Sequence, residues 1–289
     1  MTDNSINPRA GLGVGQIMSE CFGLVFGNLK VMMVLAGIPS AVGVAVNLAI
    51  MGTESQNIAQ AFTDPVAFNA ANATDTWVTI GLAIFGLLIW AFVAAAVTQA
   101  AYDAKSGQEP QIGQAFSVAT AKILPVSFMT ILAVIGAYVA MVVVALVLGF
   151  PLGLVAGGVG GIIASIGALI VALLIAARWS AILPAIVVED AGFGAFGRSA
   201  RLTEGYRWPL VGLLVLFFIV TILISAVNVG INYVGYQGGA IGSYFAIAAG
   251  CLVGAFFYAL AGALVALIYA RLCEIKEGTS INALADVFS

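Results

Sequence analysis

The chain has 289 residues, 62% of them hydrophobic and 8% charged, with 34 glycines, three cysteines and no histidine. A water-soluble domain carries roughly a quarter charged residues, so this composition excludes a chain solvated by water alone, a disordered segment and a secreted disulfide scaffold. Ten Lys+Arg against thirteen Asp+Glu give a net charge of -3; no basic excess is left for nucleic acid, and imidazole-dependent catalysis is impossible.

A helix crosses the hydrocarbon core of a bilayer with about 20 mostly apolar residues. In chain order, the runs free of Asp, Glu, Lys and Arg are 31–50, 77–101, 123–150, 152–177, 209–231 and 241–270. They predict an all-α integral membrane protein with six transmembrane helices, each closing its own backbone hydrogen bonds. The third and fourth runs form one charge-free stretch too long for a single crossing, and Gly149, Phe150, Pro151, Leu152 and Gly153 predict a tight reversal near its middle.

The cations sort by side. Arg9 and Lys30 precede the first span, Lys105 and Lys122 lie between the second and third, Arg178, Arg198, Arg201 and Arg207 between the fourth and fifth, and Arg271 and Lys276 follow the sixth. The opposite connections, 51–76, 149–153 and 232–240, hold no Lys or Arg, whereas the first holds Glu54, Asp64 and Asp75. Cytoplasmic loops retain Lys and Arg, so both termini are expected in the cytoplasm. The polar start has no basic region ahead of a short apolar core and predicts no cleavable signal peptide. Cys21, Cys251 and Cys273 lack CxxC spacing and read as small buried hydrophobes.

A short amphipathic segment followed by two spans occurs three times, in units of about 14–104, 112–189 and 193–270, ahead of a cytoplasmic tail, 271–289. The leading segments begin Gly15-Gln16-Ile17, Gly113-Gln114-Ala115 and Gly194-Ala195-Phe196. In the first, Ile17, Met18, Cys21, Phe22 and Val25 share a helical side; in the second, Ile112, Phe116, Ala119 and Ile123 form the stripe. In the third, Asp190 is the predicted N-cap and Gly205 the stop, with Phe193, Phe196, Ser199, Ala200 and Thr203 on one face and Arg198 and Arg201 on the other. The expectation is one membrane domain, 1–289, of three helical hairpins, each preceded by a cytoplasmic amphipathic surface helix, in a pseudo-threefold repeat about the membrane normal.

The densest polar stretch is 178–208. Arg178, Arg198, Arg201 and Arg207 are predicted to meet anionic phospholipid headgroups, a phosphate-bearing ligand or a protein partner, because guanidinium groups bind phosphate bidentately; the alternative is that they snorkel and set topology. Glu189 is expected to pair with Arg178 or another arginine of this loop, with general base as the alternative. Gly153, Gly157, Gly158, Gly160 and Gly161, and Gly250 with Gly254, are expected to let helices approach closely, and Asn228 and Gln99 to hydrogen-bond between helices. No ionisable group sits at membrane depth, which argues against a proton-coupled carrier and leaves uncoupled passage of a lipid or neutral solute. There is no HExxH, Walker loop, GxSxG or Cys/His cluster, so no catalytic residue, metal or cofactor is expected. Asn72-Ala73-Thr74 matches a glycosylation sequon by chance, and Trp77, Trp90, Trp179 and Trp208 read as interfacial anchors.

Arg178-Trp179, Pro184, Glu189, Gly192, Ala195, Arg198-Ser199, Leu202-Thr203, Gly205 and Trp208, with Tyr269, Arg271 and Lys276-Glu277-Gly278 near the end, resemble the signature of the multi-pass membrane domain attached to some bacterial glycerophosphoryl diester phosphodiesterases and found alone in other proteins. The resemblance implies a six-span domain of a bacterial inner membrane, in which Trp179, Pro184, Glu189, Asp190, Ser199 and Gly205 belong to a structural motif. It does not carry the phosphodiesterase activity, which belongs to a separate barrel using histidines and carboxylates around a metal. The expected function is a non-enzymatic accessory or scaffold protein on anionic lipid or a membrane partner. The alternative is an uncoupled transporter or lipid-handling protein, distinguished by a polar cleft between hairpins reached from Asn228 or Gln99.

Overall fold

The computed structural model describes residues 12–52, 64, 66, 76–144, 146–147 and 150–278. In chain order the helices are α1 (Val14–Gly27), α2 (Leu29–Met51), α3 (Thr76–Lys105), α4 (Ile112–Val144), α5 (Phe150–Trp179), α6 (Ile182–Val187), α7 (Ala195–Leu202), α8 (Arg207–Gln237) and α9 (Gly239–Glu277), with a 3₁₀ turn at Gly192–Gly194. No strand occurs among the described residues. Six stretches among them are long and apolar enough to cross a membrane: Leu29–Met51, Thr76–Lys105, Ile112–Val144, Ser165–Val187, Arg207–Gln237 and Gly239–Glu277. The chain is a multi-pass all-α membrane protein.

Local chemistry decides where helices stop. Asn28 turns both its backbone N–H and its Nδ2 to the Leu24 carbonyl, each at 3.1 Å, and separates α1 from α2. The second leading segment has no such stop: α4 runs unbroken for 33 residues with Pro125 inside it, so the separate surface helix expected before this span is not formed. The third segment is broken up by glycines, and Asp190 is not its N-cap. Asp190 lies at φ 55° before the 3₁₀ turn and ion-pairs with Lys122, while α7 begins after Gly194 with no side-chain cap. Gly205, at φ 84°, occupies the turn between α7 and α8.

Most of the expected 149–153 reversal is helical instead. α4 ends at Val144 and α5 begins at Phe150, so Pro151, Leu152 and Gly153 belong to the first turn of α5. Proline is tolerated there because a first-turn N–H has no intrahelical acceptor to lose. The side-chain surroundings of Gly153, Gly157, Gly158 and Gly161 lie outside the described residues. So do Arg9, Glu54, Asp75, the 72–74 sequon and the tail from 279.

The core gathers at the end of the bundle that carries the cations. There α9 packs on α1, α2, α3, α6 and α8. Its buried Ala255, Ala259, Leu260, Ala263, Leu264, Leu267 and Leu272 meet Ala91, Val93, Ala96, Val97 and Ala100 of α3, Met32, Leu35 and Ala36 of α2, and Cys21 and Val25 of α1. Small side chains bring the backbones close: a Cβ on Gly262 would lie 2.5 Å from Val97 Cγ1. Of the expected Gly250 and Gly254 pair, Gly250 packs on α8 whereas Gly254 has nothing within 4 Å of such a Cβ, and tighter approaches fall at Gly262 and, between α8 and α9, at Gly235 and Gly242. The Cys21 thiol donates to the Leu260 carbonyl at 3.3 Å, and burial pushes its pKa up to about 12. Towards the other end Ile84, Ile135, Ile166, Phe218, Val227 and Phe245 are exposed, as side chains facing lipid tails are.

Candidate functional site

Two places hold polar groups in a defined arrangement. The first is the junction where α5, α7 and α9 end. Ser199 Oγ donates to the Arg178 carbonyl at 2.7 Å and accepts from the Ala181 N–H at 3.2 Å. Thr203 Oγ1 donates to the Ser199 carbonyl at 2.9 Å and approaches the Arg178 carbonyl at 3.3 Å. Both hydroxyls are buried, and they satisfy carbonyl and N–H groups orphaned where α5 stops.

Arg198 lies between two carboxylates. Its Nε and Nη2 donate to Glu189 at 2.9 and 2.7 Å, its Nη2 also donates to Glu277 at 2.9 Å, and its Nη1 bonds the second Glu277 oxygen. Burial is the largest single influence on the Glu189 carboxyl and pushes it up, but Arg198, Tyr269 and the Arg201 charge together outweigh it and hold Glu189 below its ordinary pKa. Glu277 first, and then Glu189, raise the Arg198 guanidinium above its already high value. The buried Tyr269 hydroxyl lies beside the pair, close enough to add to these shifts yet without a hydrogen bond of full geometry. At the same end Lys105 meets Glu20 at 2.9 Å and Arg271 meets Glu274 at 3.0 Å.

The predicted headgroup contacts therefore separate. Arg198 is engaged inside the protein, and the partner of Glu189 is Arg198 rather than Arg178. The Arg178 and Arg201 side chains are exposed, whereas Arg207 is partly buried with its Nε unpaired. Exposed Phe193 and Trp208 lie in the same stretch. Trp179 turns inward, edge-on to Phe196 at 5.6 Å and against Gly136, and Pro184 is buried in α6. Of the four tryptophans, Trp77 and Trp208 are the exposed ones, as interfacial anchors require. Glu277 joins this junction without being expected there, and its sequence signal is the 276–278 run: the two stretches that carry the family resemblance meet at Arg198.

The second place is a cavity of about 350 Å³ between α2, α3, α8 and α9. Its polar lining is Ser40, Asn47, Asn228, Asn232 and Tyr258, with Trp90 on one wall. Asn228 and Asn232, four residues apart, share one face of α8. Asn232 Nδ2 donates to the Asn228 carbonyl at 2.9 Å and to its Oδ1 at 3.0 Å, so the expected interhelical bond of Asn228 is instead made within α8. Gly250 fits against the pair: a Cβ there would lie 3.4 Å from Asn228 Oδ1. Gln99 does not reach the cavity; its Nε2 donates to Asp103 Oδ1 at 2.8 Å, one turn along α3. On the other side of Trp90 a second cavity, of about 300 Å³, is almost wholly apolar and reaches Trp179.

Among the described residues no Asp, Glu, Lys or Arg lines the polar cavity, so the chemistry of the described lining is neutral hydrogen bonding beside apolar walls. Among the described residues no three His, Cys, Asp or Glu side chains form a metal-ligating group. The chain matches no family model, no curated protein and no solved structure.

Proposed function

We propose that this chain is a non-enzymatic multi-pass membrane protein that handles an amphiphile of the bilayer in the cavity between α2, α3, α8 and α9. One observation carries this reading: Asn228 and Asn232 face a cavity of about 350 Å³, a volume within the range of about 300–1,000 Å³ usual for ligand sites. A scaffold alone needs no such space. The pairs α2 with α3, α4 with α5 and α8 with α9 are in contact, which supports three hairpins in a pseudo-threefold repeat. The distribution of Lys and Arg supports cytoplasmic termini. The meeting of the two signature stretches at Arg198 supports membership of the phosphodiesterase-associated membrane family and, with it, a bacterial inner membrane.

A second reading, an accessory protein on anionic lipid, draws support from exposed Arg178, Arg201, Phe193 and Trp208 at the cation-bearing end. Native mass spectrometry separates the two. Gly86 lines the cavity with nothing within 4 Å of its notional Cβ, so Gly86→Leu adds bulk at the cavity wall with room at its first carbon. Handling in the cavity predicts a lipid adduct that survives stripping of surface lipid and is lost in Gly86→Leu. An adduct absent from the wild type, or lost only in Arg178→Gln/Arg201→Gln, favours the accessory role instead.

A further inference from the structure

Three residues, Val44, Ile247 and Cys251, line both the polar cavity and a separate apolar groove of about 630 Å³ between α2 and α9. On α2 the groove extends from Met33 to Leu48, and on α9 from Tyr244 to Leu252. At ~1.5 Å per residue the α2 wall is about 22 Å long, more than one leaflet's share, about 15 Å, of the hydrocarbon core. The two helices converge at Gly37, where a Cβ would lie 3.7 Å from that of Ala255. The two spaces thus adjoin beyond that point, with the apolar one facing the bilayer.

The cavity fixes the chemistry of what can enter. A phosphate or ammonium group there would lose its hydration with no opposite charge to replace it, because among the described residues no Asp, Glu, Lys or Arg lines the space. An uncharged hydroxyl meets ready partners. Asn232 Nδ2 is engaged by two acceptors of Asn228, which leaves Asn232 Oδ1 as an acceptor and Asn228 Nδ2 as a donor. We infer that the occupant is an uncharged lipid with a free hydroxyl, of the diacylglycerol kind, whose head bonds Asn228 and Asn232 while an acyl chain leaves sideways between α2 and α9. This rests on the amphiphile-handling reading and adds the headgroup class and the route of entry.

The test uses the full chain in phosphatidylcholine vesicles doped with either a photoactivatable diacylglycerol or a photoactivatable phosphatidylglycerol, with adducts mapped by mass spectrometry. Diacylglycerol adducts should concentrate on 33–48 and 244–252 relative to the lipid-facing stretch 131–143 of α4, and phosphatidylglycerol adducts should not. One neutral hydrogen bond is worth about 1 kcal/mol, so Asn228→Leu and Asn232→Leu should each lower that enrichment about five-fold. Gly86→Leu should abolish it with the asparagines intact, and unchanged α4 labelling reports on the integrity of each variant. Asparagine-dependent enrichment of phosphatidylglycerol would overturn the neutral headgroup and leave amphiphile handling standing. Diacylglycerol enrichment indifferent to both asparagines would overturn the assigned head site. Enrichment of neither probe would overturn both this inference and the reading beneath it.

Discussion

Arg198 on α7 and Glu277, the last residue of α9, are 79 positions apart in sequence and joined through both guanidinium Nη atoms. Glu189 holds the remaining donor edge, so one side chain ties three segments of the chain together. Arg198→Gln leaves two carboxylates facing each other. Since all three groups are partly open to solvent, we expect a loss of about 1–2 kcal/mol and a fall of a few degrees in thermal unfolding midpoint, with Arg198→Lys intermediate. An unchanged midpoint would refute a structural role for this triad.

Acid should reveal the same contact. Glu189 and Glu20 both titrate below the ordinary 4.5: for Glu189 burial is the largest influence and acts upward, but Arg198, Tyr269 and Arg201 together outweigh it, and for Glu20 the Lys105 hydrogen bond leads. A carboxyl with a lowered folded pKa stabilises the fold above its unfolded value and loses that contribution as pH falls through the folded value. Unfolding midpoints should therefore decline below about pH 4.5, and more shallowly in Arg198→Gln than in the wild type. An equally steep decline in both would sink the assignment.

Close contact between α3 and α9 is tested at Gly262. A Cβ there would stand 2.5 Å from Val97 Cγ1 and 2.9 Å from Val97 Cβ, on a β-branched side chain buried between helices. Gly262→Ala should cost about 1–3 kcal/mol by overpacking, and Val97→Ala should restore part of it in the double variant. Gly212→Ala has nothing within 4 Å and should be neutral or mildly stabilising through helix propensity. Equal effects at the two glycines would contradict the packing described.

Sidedness predicts opposite behaviour for two introduced thiols. In a background with Cys21, Cys251 and Cys273 replaced, Gln237→Cys, at the end of α8, should react with an impermeant maleimide in intact cells. Ser106→Cys, just after α3, should react only once the membrane is opened. The reverse pattern would invert the proposed topology.

The spans were legible because a lipid-facing helix tolerates no formal charge, and a search for uncharged runs finds that signature directly. Their ends were less so: Lys122 marks the end of the uncharged run, but α4 continues back to Ile112 because no glycine or asparagine falls between Gln114 and Lys122. At the junction, Glu189 lies near Arg198 in sequence and the pairing within the loop was readable, whereas Glu277 arrives by the packing of α9 and leaves only a faint local sign. The i, i+4 spacing of Asn228 and Asn232 announces a polar face. What that face lines depends on how far α2 and α9 diverge beyond Gly37, which no local pattern records.

The half of α9 from Ala255 to Leu272 fills the space that α1, α2 and α3 surround. During translation those earlier helices leave the ribosome well before the one that unites them. The alanine-rich face of α3 must wait in the insertion machinery or against lipid, and assembly of this end is an event of late biosynthesis rather than a stepwise addition of finished hairpins.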